Sequence, residues 1–535
     1  MLVPYLLFLA VVMFACTAFH RLSARLGVPA LLAFMFLGML FGSDGLLKVA
    51  FEDYAFADQV STVALLFIMF YGGFGTNWRA ARPAAAPAIV LSSLGTILTA
   101  VLTGLFCHLA LGMRLLEGLL CGAVLGSTDA ASVFSILRAR KLALKENTDS
   151  LLEVESGSND PFAYMLTAVL LTAMESGITP GSVARLLAGQ LLFGLAFGFG
   201  VGAAALWLLR RLHIGASGFD TIFVVAVALL SYAAPAALGG NGFLSVYITG
   251  ILLGNGDIRN KATLVPFFDG VTSMMQMVLF FLLGLLSFPS QMPAVLGPAV
   301  AIALFLTFAA RPAAVFLLMA PFGGSMGRRL LVSFSGLRGA ASIVFAVMTV
   351  ISPVSTDNDL FHIVFLIVLF SISLQGSLLP WAARRLGMID EGGNVLRTFT
   401  DYVDEAPVQF IQFTVPLTHP WCGRAVRELV LPPGALLISL QRGEEQIVPG
   451  GGTRLQRGDR LILATLEPEG TPGVCLSEKI VEPDDLRDGA RVADLPLRAG
   501  ALIVLVQRGE EYLIPRGDTE LQPGDLLVIN STEQE

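Results

Sequence analysis

Residues 115–174 read LLEGLLCGAVLGSTDAASVFSILRAR, then KLALKENTDS, then LLEVESGSNDPFAYMLTAVLLTAM. Two apolar segments flank a short loop carrying Arg138, Arg140, Lys141 and Lys145. Each is long enough to cross a bilayer, which takes about 20 mainly apolar residues. Each also holds acids where a lipid-facing helix has none: Asp129 in the first, and Glu153, Glu155 and Asp160 in the second. A charge at the bilayer centre costs at least ~2.5–3.5 kcal/mol, so such residues are functional candidates by default.

The same pattern runs outward in both directions. Only 14% of the 535 residues are charged, against about 25% in a soluble domain. The deficit lies in residues 1–386, which hold apolar windows at 3–20, 28–47, 57–75, 84–110, 115–137, 150–174, 182–209, 219–237, 241–256, 266–288, 294–320, 327–351 and 359–382. Thirteen spans are expected. The N-terminus MLVPYLLFLA has no basic leader region and is read as the first span rather than a removed signal peptide.

Basic residues follow the odd-numbered spans: Arg21 and Arg25, Arg79 and Arg82, the 138–145 loop, Arg210 and Arg211, Arg259 and Lys261, Arg328 and Arg329, Arg384 and Arg385. The loops after even-numbered spans are poor in Lys and Arg, with Lys48 and Arg114 the exceptions. Positive residues favour the cytoplasm. The expected topology is multi-pass, with the N-terminus outside and the C-terminus in the cytoplasm.

Three polar clusters lie inside spans. They are GSTDAAS in span five, ESGSNDP in span six, and SGLRGAAS with Arg338 between Gly336 and Gly339 in span twelve. Ser156 and Asp160 are four residues apart and share a helix face. With Asn159 they can line one oxygen-rich pocket. Glu155 points ~140° away from Asp160 at 3.6 residues per turn. Arg338 is the expected partner of Glu155, since one buried charge without the other is severely unfavourable. That pair reads as structural, holding span six against span twelve. Asp129 reads either as part of the pocket or as the cap of a helix break. Arg311 is expected to snorkel or pair, without a transport role. The five His form no cluster.

Glycine and serine around Thr128–Asp129 and around Arg338 favour unwinding in spans five and twelve. Broken helices at membrane depth are tolerated where they line a cavity. In transporters of inverted-repeat design they sit at matching places in two halves.

At these residues the chain resembles the NhaP-type monovalent cation/proton antiporters. The resemblance rests on Thr128–Asp129, on the run Glu155, Ser156, Asn159, Asp160, and on Gly-Leu-Arg-Gly-Ala around Arg338, and covers about residues 1–386. The form ESGSNDP, with the tail, is similar to the bacterial potassium/proton branch. The resemblance implies a mostly α polytopic fold with inverted repeats and crossed, unwound helices, in which a six-helix core moves against a dimerisation domain. It implies a homodimer in lipid. It implies Asp160 as the carboxylate for cation and proton, with Ser156, Asp129 and the backbone of Thr128 completing a monovalent-cation site and Asn159 supporting it. Asn159 marks the electroneutral branch. Tyr71 stands where many relatives carry an acid in span three.

The tail has soluble composition and an internal repeat. Residues 432–465 align without gaps to 498–531, sharing Gly434/Gly500, the QRGEE runs at 441–445 and 507–511, and Gly458–Asp459/Gly524–Asp525. Each unit reads as strands joined by turns at Arg-Gly and Gly-Asp. The expected organisation is a membrane domain at 1–386, a linker at 387–399, and a small α+β cytoplasmic tail. The tail's units, 400–470 and a degenerate copy at 471–535, resemble the TrkA C-terminal (RCK-C) type. As a ligand-binding gate it would take a small nucleotide; as an assembly module it would only hold the dimer. No GxGxxG appears, so NAD is not expected, and no other cofactor is called for. The net charge of −7 and the lack of a basic block exclude nucleic acid. A potassium channel would need a TVGYG-like filter, and a metal-dependent intramembrane enzyme an HExxH motif; neither is present. The expected activity is therefore exchange of K⁺ or Na⁺ against H⁺ by a secondary transporter, not an enzyme.

Overall fold

The computed structural model of the chain describes residues 2–26, 29–140, 142–177, 179–211, 217–258 and 261–390 of the apolar part. In the tail it describes 408–416, 419–431, 435–443, 445–466, 475–481, 491–495, 502–508, 511–513 and 515–531. Two compact units divide at residue 403.

Each of the thirteen apolar windows contains helix. Among the described residues, seven helices are long and apolar enough to cross a membrane, and shorter apolar helices include Ala30–Phe41, Leu115–Val124, Gly242–Asn255 and Ala340–Ile351. The shortness of two of these has a single cause. Span five is two half-helices, Leu115–Val124 and Ala130–Ala139, and span twelve is Met326–Phe334 and Ala340–Ile351. The interruptions fall on Leu-Gly-Ser-Thr-Asp and Ser-Gly-Leu-Arg-Gly, where glycine and small polar residues give the backbone little reason to stay helical.

The helices form two packed groups. Spans four, five, six, eleven, twelve and thirteen pack on one another, and spans one to three and seven to ten form the second group. Within the second group, Tyr54–Gly75 and Gly242–Asn255 approach until backbone meets backbone. A Cβ on Gly73 would stand 2.3 Å from the Tyr247 carbonyl oxygen, and one on Gly250 2.4 Å from that of Phe70. Small residues at such crossings replace the hydrophobic drive that lipid cannot supply.

Three long helices of the first group each contain one wide, π-helical turn: Leu91–Gly95, Leu306–Ala310 and Ser371–Gln375. All three adjoin the breaks. Thr96 meets Gly126, Arg311 meets Gly336, and Ser371 bonds the Arg338 backbone. Such bulges are frequent at functional sites.

The stretch read as a linker begins inside the membrane unit. Ala143–Leu144 pairs antiparallel with Ile389–Asp390, and the Lys145 amide donates to the Met388 carbonyl at 2.9 Å. Met388 is buried, and that burial pulls these residues out of solvent. Residues 391–399 of that stretch lie outside the described residues. Glu146, beside this sheet, accepts from the Ser325 amide at 3.1 Å. The Ser325 hydroxyl and amide hold the Glu146 carboxyl below its ordinary value.

The tail unit is rich in strands. Val408–Thr414, Arg460–Leu466, Leu436–Arg442 and Glu445–Ile447 form one antiparallel sheet in that order. Cys475–Ile480, Leu526–Ser531, Leu502–Arg508 and Glu511–Leu513 form a second with the same order. The structural period is the sequence period. Arg442 grips Asp459 and Arg508 grips Asp525, each through two guanidinium nitrogens. Arg442 also donates to the Arg454 carbonyl and Arg508 to the Glu520 carbonyl. The opening strand of each sheet, at 408–414 and 475–480, lies before the aligned segments. Gly434, Glu444, Gly500, Gly509 and Glu510 of the shared positions lie outside the described residues.

Candidate ion-binding site

The two breaks meet. The Asp129 amide donates to the Leu337 carbonyl at 2.8 Å. A Cβ on Gly339 would lie 2.5 Å from the Asp129 Cβ, so glycine is what lets the chains cross here.

Three of the four half-helix ends at the crossing are answered by charge. A helix carries roughly +0.5 of a charge at its N-terminus and −0.5 at its C-terminus. Asp129 accepts from the Ser132 amide at 3.1 Å and from the Ser132 hydroxyl, capping Ala130–Ala139. The same carboxylate borders Gly339, where Ala340–Ile351 begins. Arg338 does the opposite work. Its Nη1 donates to the carbonyls of Leu125 and, at 2.7 Å, Ser127, where Leu115–Val124 ends. The capping reading of Asp129 therefore has a concrete geometry, and the residue also lines the cavity described below.

The pairing expected between Glu155 and Arg338 runs elsewhere. Glu155 Oε1 stands 2.5 Å from Arg311 Nη2, both side chains buried. Arg338 is committed to the break carbonyls. Arg311 is thus a pairing residue, the alternative to snorkelling, and it takes the acid assigned above to Arg338.

Span six, Thr148–Ser176, crosses the first break. Asn159 holds it there: its Nδ2 donates to Thr128 Oγ1 at 2.5 Å and its Oδ1 accepts from the Thr128 amide at 3.3 Å. The Ser156 hydroxyl donates to the Thr128 carbonyl at 2.6 Å. Asp160 accepts from the Ser127 hydroxyl. Pro161 has no N–H to give the Gly157 carbonyl one turn back, so proline frees an oxygen beside Asp160. All the site residues named from the sequence gather at this crossing.

Asp160, Asp129, Ser127, Thr128, Ser156 and Gly157 line a cavity of about 260 Å³ between the two helix groups. Its far wall carries Tyr71, Tyr247 and, on one face of span ten, Asp269, Thr272, Ser273 and Gln276. Ser127 and this polar stripe were not singled out above. The stripe's i, i+3, i+4, i+7 spacing was a signal that could have found it. Carboxylate, hydroxyl and carbonyl oxygens are the donor set for a hard cation.

The sodium/hydrogen exchanger transmembrane family matches residues 9–385. The chain belongs to the sodium/hydrogen exchanger family. The TrkA-C domain matches the tail twice, at 410–468 and 478–534. Among curated relatives, the K(+)/H(+) antiporter NhaP2 of Shewanella baltica is 36% identical over 446 residues, 82% of this chain and 77% of that protein. The K(+)/H(+) antiporter NhaP of Alkalimonas amylolytica is 35% identical over 431 residues, 80% of this chain and 75% of its own length. The sodium proton antiporter MjNhaP1 of Methanocaldococcus jannaschii has a similar fold. It superposes with a TM-score of 0.63 at 20% identity, over 72% of this chain and 99% of that one. As a member of this exchanger family the chain is an integral membrane protein, and the crossed breaks fall within the family match.

Proposed function

We propose that this exchanger performs electroneutral antiport of K⁺ against H⁺ by alternating access at one carboxylate, Asp160. The observation that carries the reading is Asp160 on the wall of the inter-group cavity, beside the crossing of two broken helices. Deprotonated, it binds a partly dehydrated cation with oxygens from Ser156, Thr128 and Gly157. Protonated, it is neutral and releases the cation. If only these two loaded forms cross, exchange is obligatory. One cation for one proton moves no net charge, so the membrane potential, worth ~2.3 kcal/mol per charge per 100 mV, drops out.

Asn159 supports the one-for-one count, because it spends its amide on Thr128 and brings no second charge. The names of the relatives support K⁺ as the cation to test first, with Na⁺ the alternative. We place the protein in the cytoplasmic membrane as a homodimer, N-terminus outside and tail in the cytosol. The tail is a gate that binds a small nucleotide; as an assembly module its removal would leave pH and ligand dependence unchanged.

The test is proton movement in proteoliposomes on adding K⁺, Na⁺, Rb⁺ or Li⁺ across a pH series. Asp160→Asn is expected to abolish it, and retained exchange sinks the assignment. Rates that respond to an imposed potential would refute electroneutrality. Truncation after residue 395 separates gate from assembly module.

A further inference from the structure

A second cavity, of about 290 Å³, lies beside the breaks and shares no lining residue with the first. Its walls include Leu304, Phe308, Leu374 and Leu378. These side chains are half to two-thirds exposed on spans eleven and thirteen, which in a membrane means facing lipid. Arg311 and Arg338 also line it.

Both guanidiniums are almost fully buried, at 3% and 2% exposure. The Nε of each has no hydrogen-bond acceptor among the described residues. Gly336 admits one of them: a Cβ there would come within 3.0 Å of Arg311 Nε. The charges paired with them do not balance. Glu155 supplies one carboxylate, and the helix end capped by Arg338 supplies roughly half a negative charge. Two guanidiniums remain under-compensated in an apolar crevice, where an unsatisfied buried donor costs about 1–3 kcal/mol or more.

We propose that this crevice binds a single-chain anionic amphiphile, a fatty acid, with its carboxylate on Arg311 and Arg338 and its chain along Leu304 and Leu374 into the bilayer. Guanidinium meets carboxylate in a short, charge-assisted fork. The volume is near the lower end for ligand pockets, roughly 300 Å³, which suits a small head and the start of a chain. Depth favours a fatty acid over a phospholipid. Arg311 lies seven residues before Leu318, where its helix ends, which is about 10 Å at 1.5 Å per residue. A phosphodiester head with its polar substituents belongs at the interface, and a bare carboxyl group is small enough to sit below it.

The test uses the full-length protein in phosphatidylcholine nanodiscs with three photoreactive diazirine probes: a palmitate, a hexadecanol and a phosphatidylglycerol. Removing either arginine risks misfolding, so the variants fill the lipid-facing wall instead: Leu304→Trp and Leu374→Trp. The palmitate probe is expected to label residues 304–308 and 374–378 about tenfold more than the alcohol, a factor worth ~1.4 kcal/mol. Each Trp variant should lower that labelling with an unchanged melting temperature. Equal labelling by hexadecanol, insensitivity to both Trp variants, or preferential labelling by phosphatidylglycerol overturns the proposal.

Discussion

Arg311 Nη2 and Glu155 Oε1 stand 2.5 Å apart across spans eleven and six, with both side chains out of contact with solvent. Removing one partner strands the other, at about 3–5 kcal/mol; removing both together with apolar replacements is far milder. Arg311→Met and Glu155→Leu should each lower the melting temperature of the detergent-solubilised protein sharply. The double variant should recover most of the loss. A double variant no better than the worse single would show that the two do not act as a pair.

Gly339→Ala should displace the crossing, because its methyl would meet the Asp129 side chain at 2.5–2.7 Å. Overpacking of this kind costs typically ~1–3 kcal/mol. Exchange in proteoliposomes should fall far more than expression does. Gly189→Ala, where an added Cβ has nothing within 4 Å, is the matched control and should behave as wild type.

Ser127→Ala removes the hydroxyl that donates to Asp160. Its hydrogen bond to a charged group is worth ~1.5–3 kcal/mol. The apparent KM for the transported cation should change about tenfold or more, with the melting temperature falling by no more than several degrees. An unchanged KM would place Ser127 outside the site.

In the tail, Arg442 and Arg508 hold Asp459 and Asp525 below the ordinary carboxylate range, chiefly by hydrogen bonding to them. Their folded values are depressed, so the stabilisation is full above the unfolded value of about 3.9 and is lost as pH falls through the folded one. The protection of amides at 460–466 and 526–531, relative to their intrinsic exchange rates at each pH, should be flat around neutrality and fall below about pH 4. Arg442→Ala should raise exchange in the first sheet at pH 7, and Arg508→Ala in the second. Uniform exchange across both sheets in either variant would mean that the two do not open separately.

The gathering of Asp160, Asn159, Ser156 and Thr128 was legible because two short motifs place charge and amide where lipid would forbid them. The breaks were legible because glycine and serine crowd the same places. Arg311 was not. It stands in ARPAA within an apolar span, with no motif around it, and which buried arginine reaches Glu155 depends on how helices cross rather than on spacing along the chain. The first strand of each tail sheet escaped for a related reason. Val408–Thr414 and Cys475–Ile480 precede the aligned segments, and the strands they pair with, Arg460–Leu466 and Leu526–Ser531, lie well downstream.

The small sheet of Ala143–Leu144 with Ile389–Asp390 has a mechanical consequence. The loop that joins the half-helix behind Asp129 to the helix of Asp160 is stitched to Ile389–Asp390, the last described residues of the membrane unit, and through Glu146 to Ser325, just ahead of the second broken span. Among the described residues, a displacement of Ile389–Asp390 would therefore reach the loop between the two motif helices and the start of the second broken span together. For the crossing, this stitch is a short covalent and hydrogen-bonded lever that links both interrupted helices.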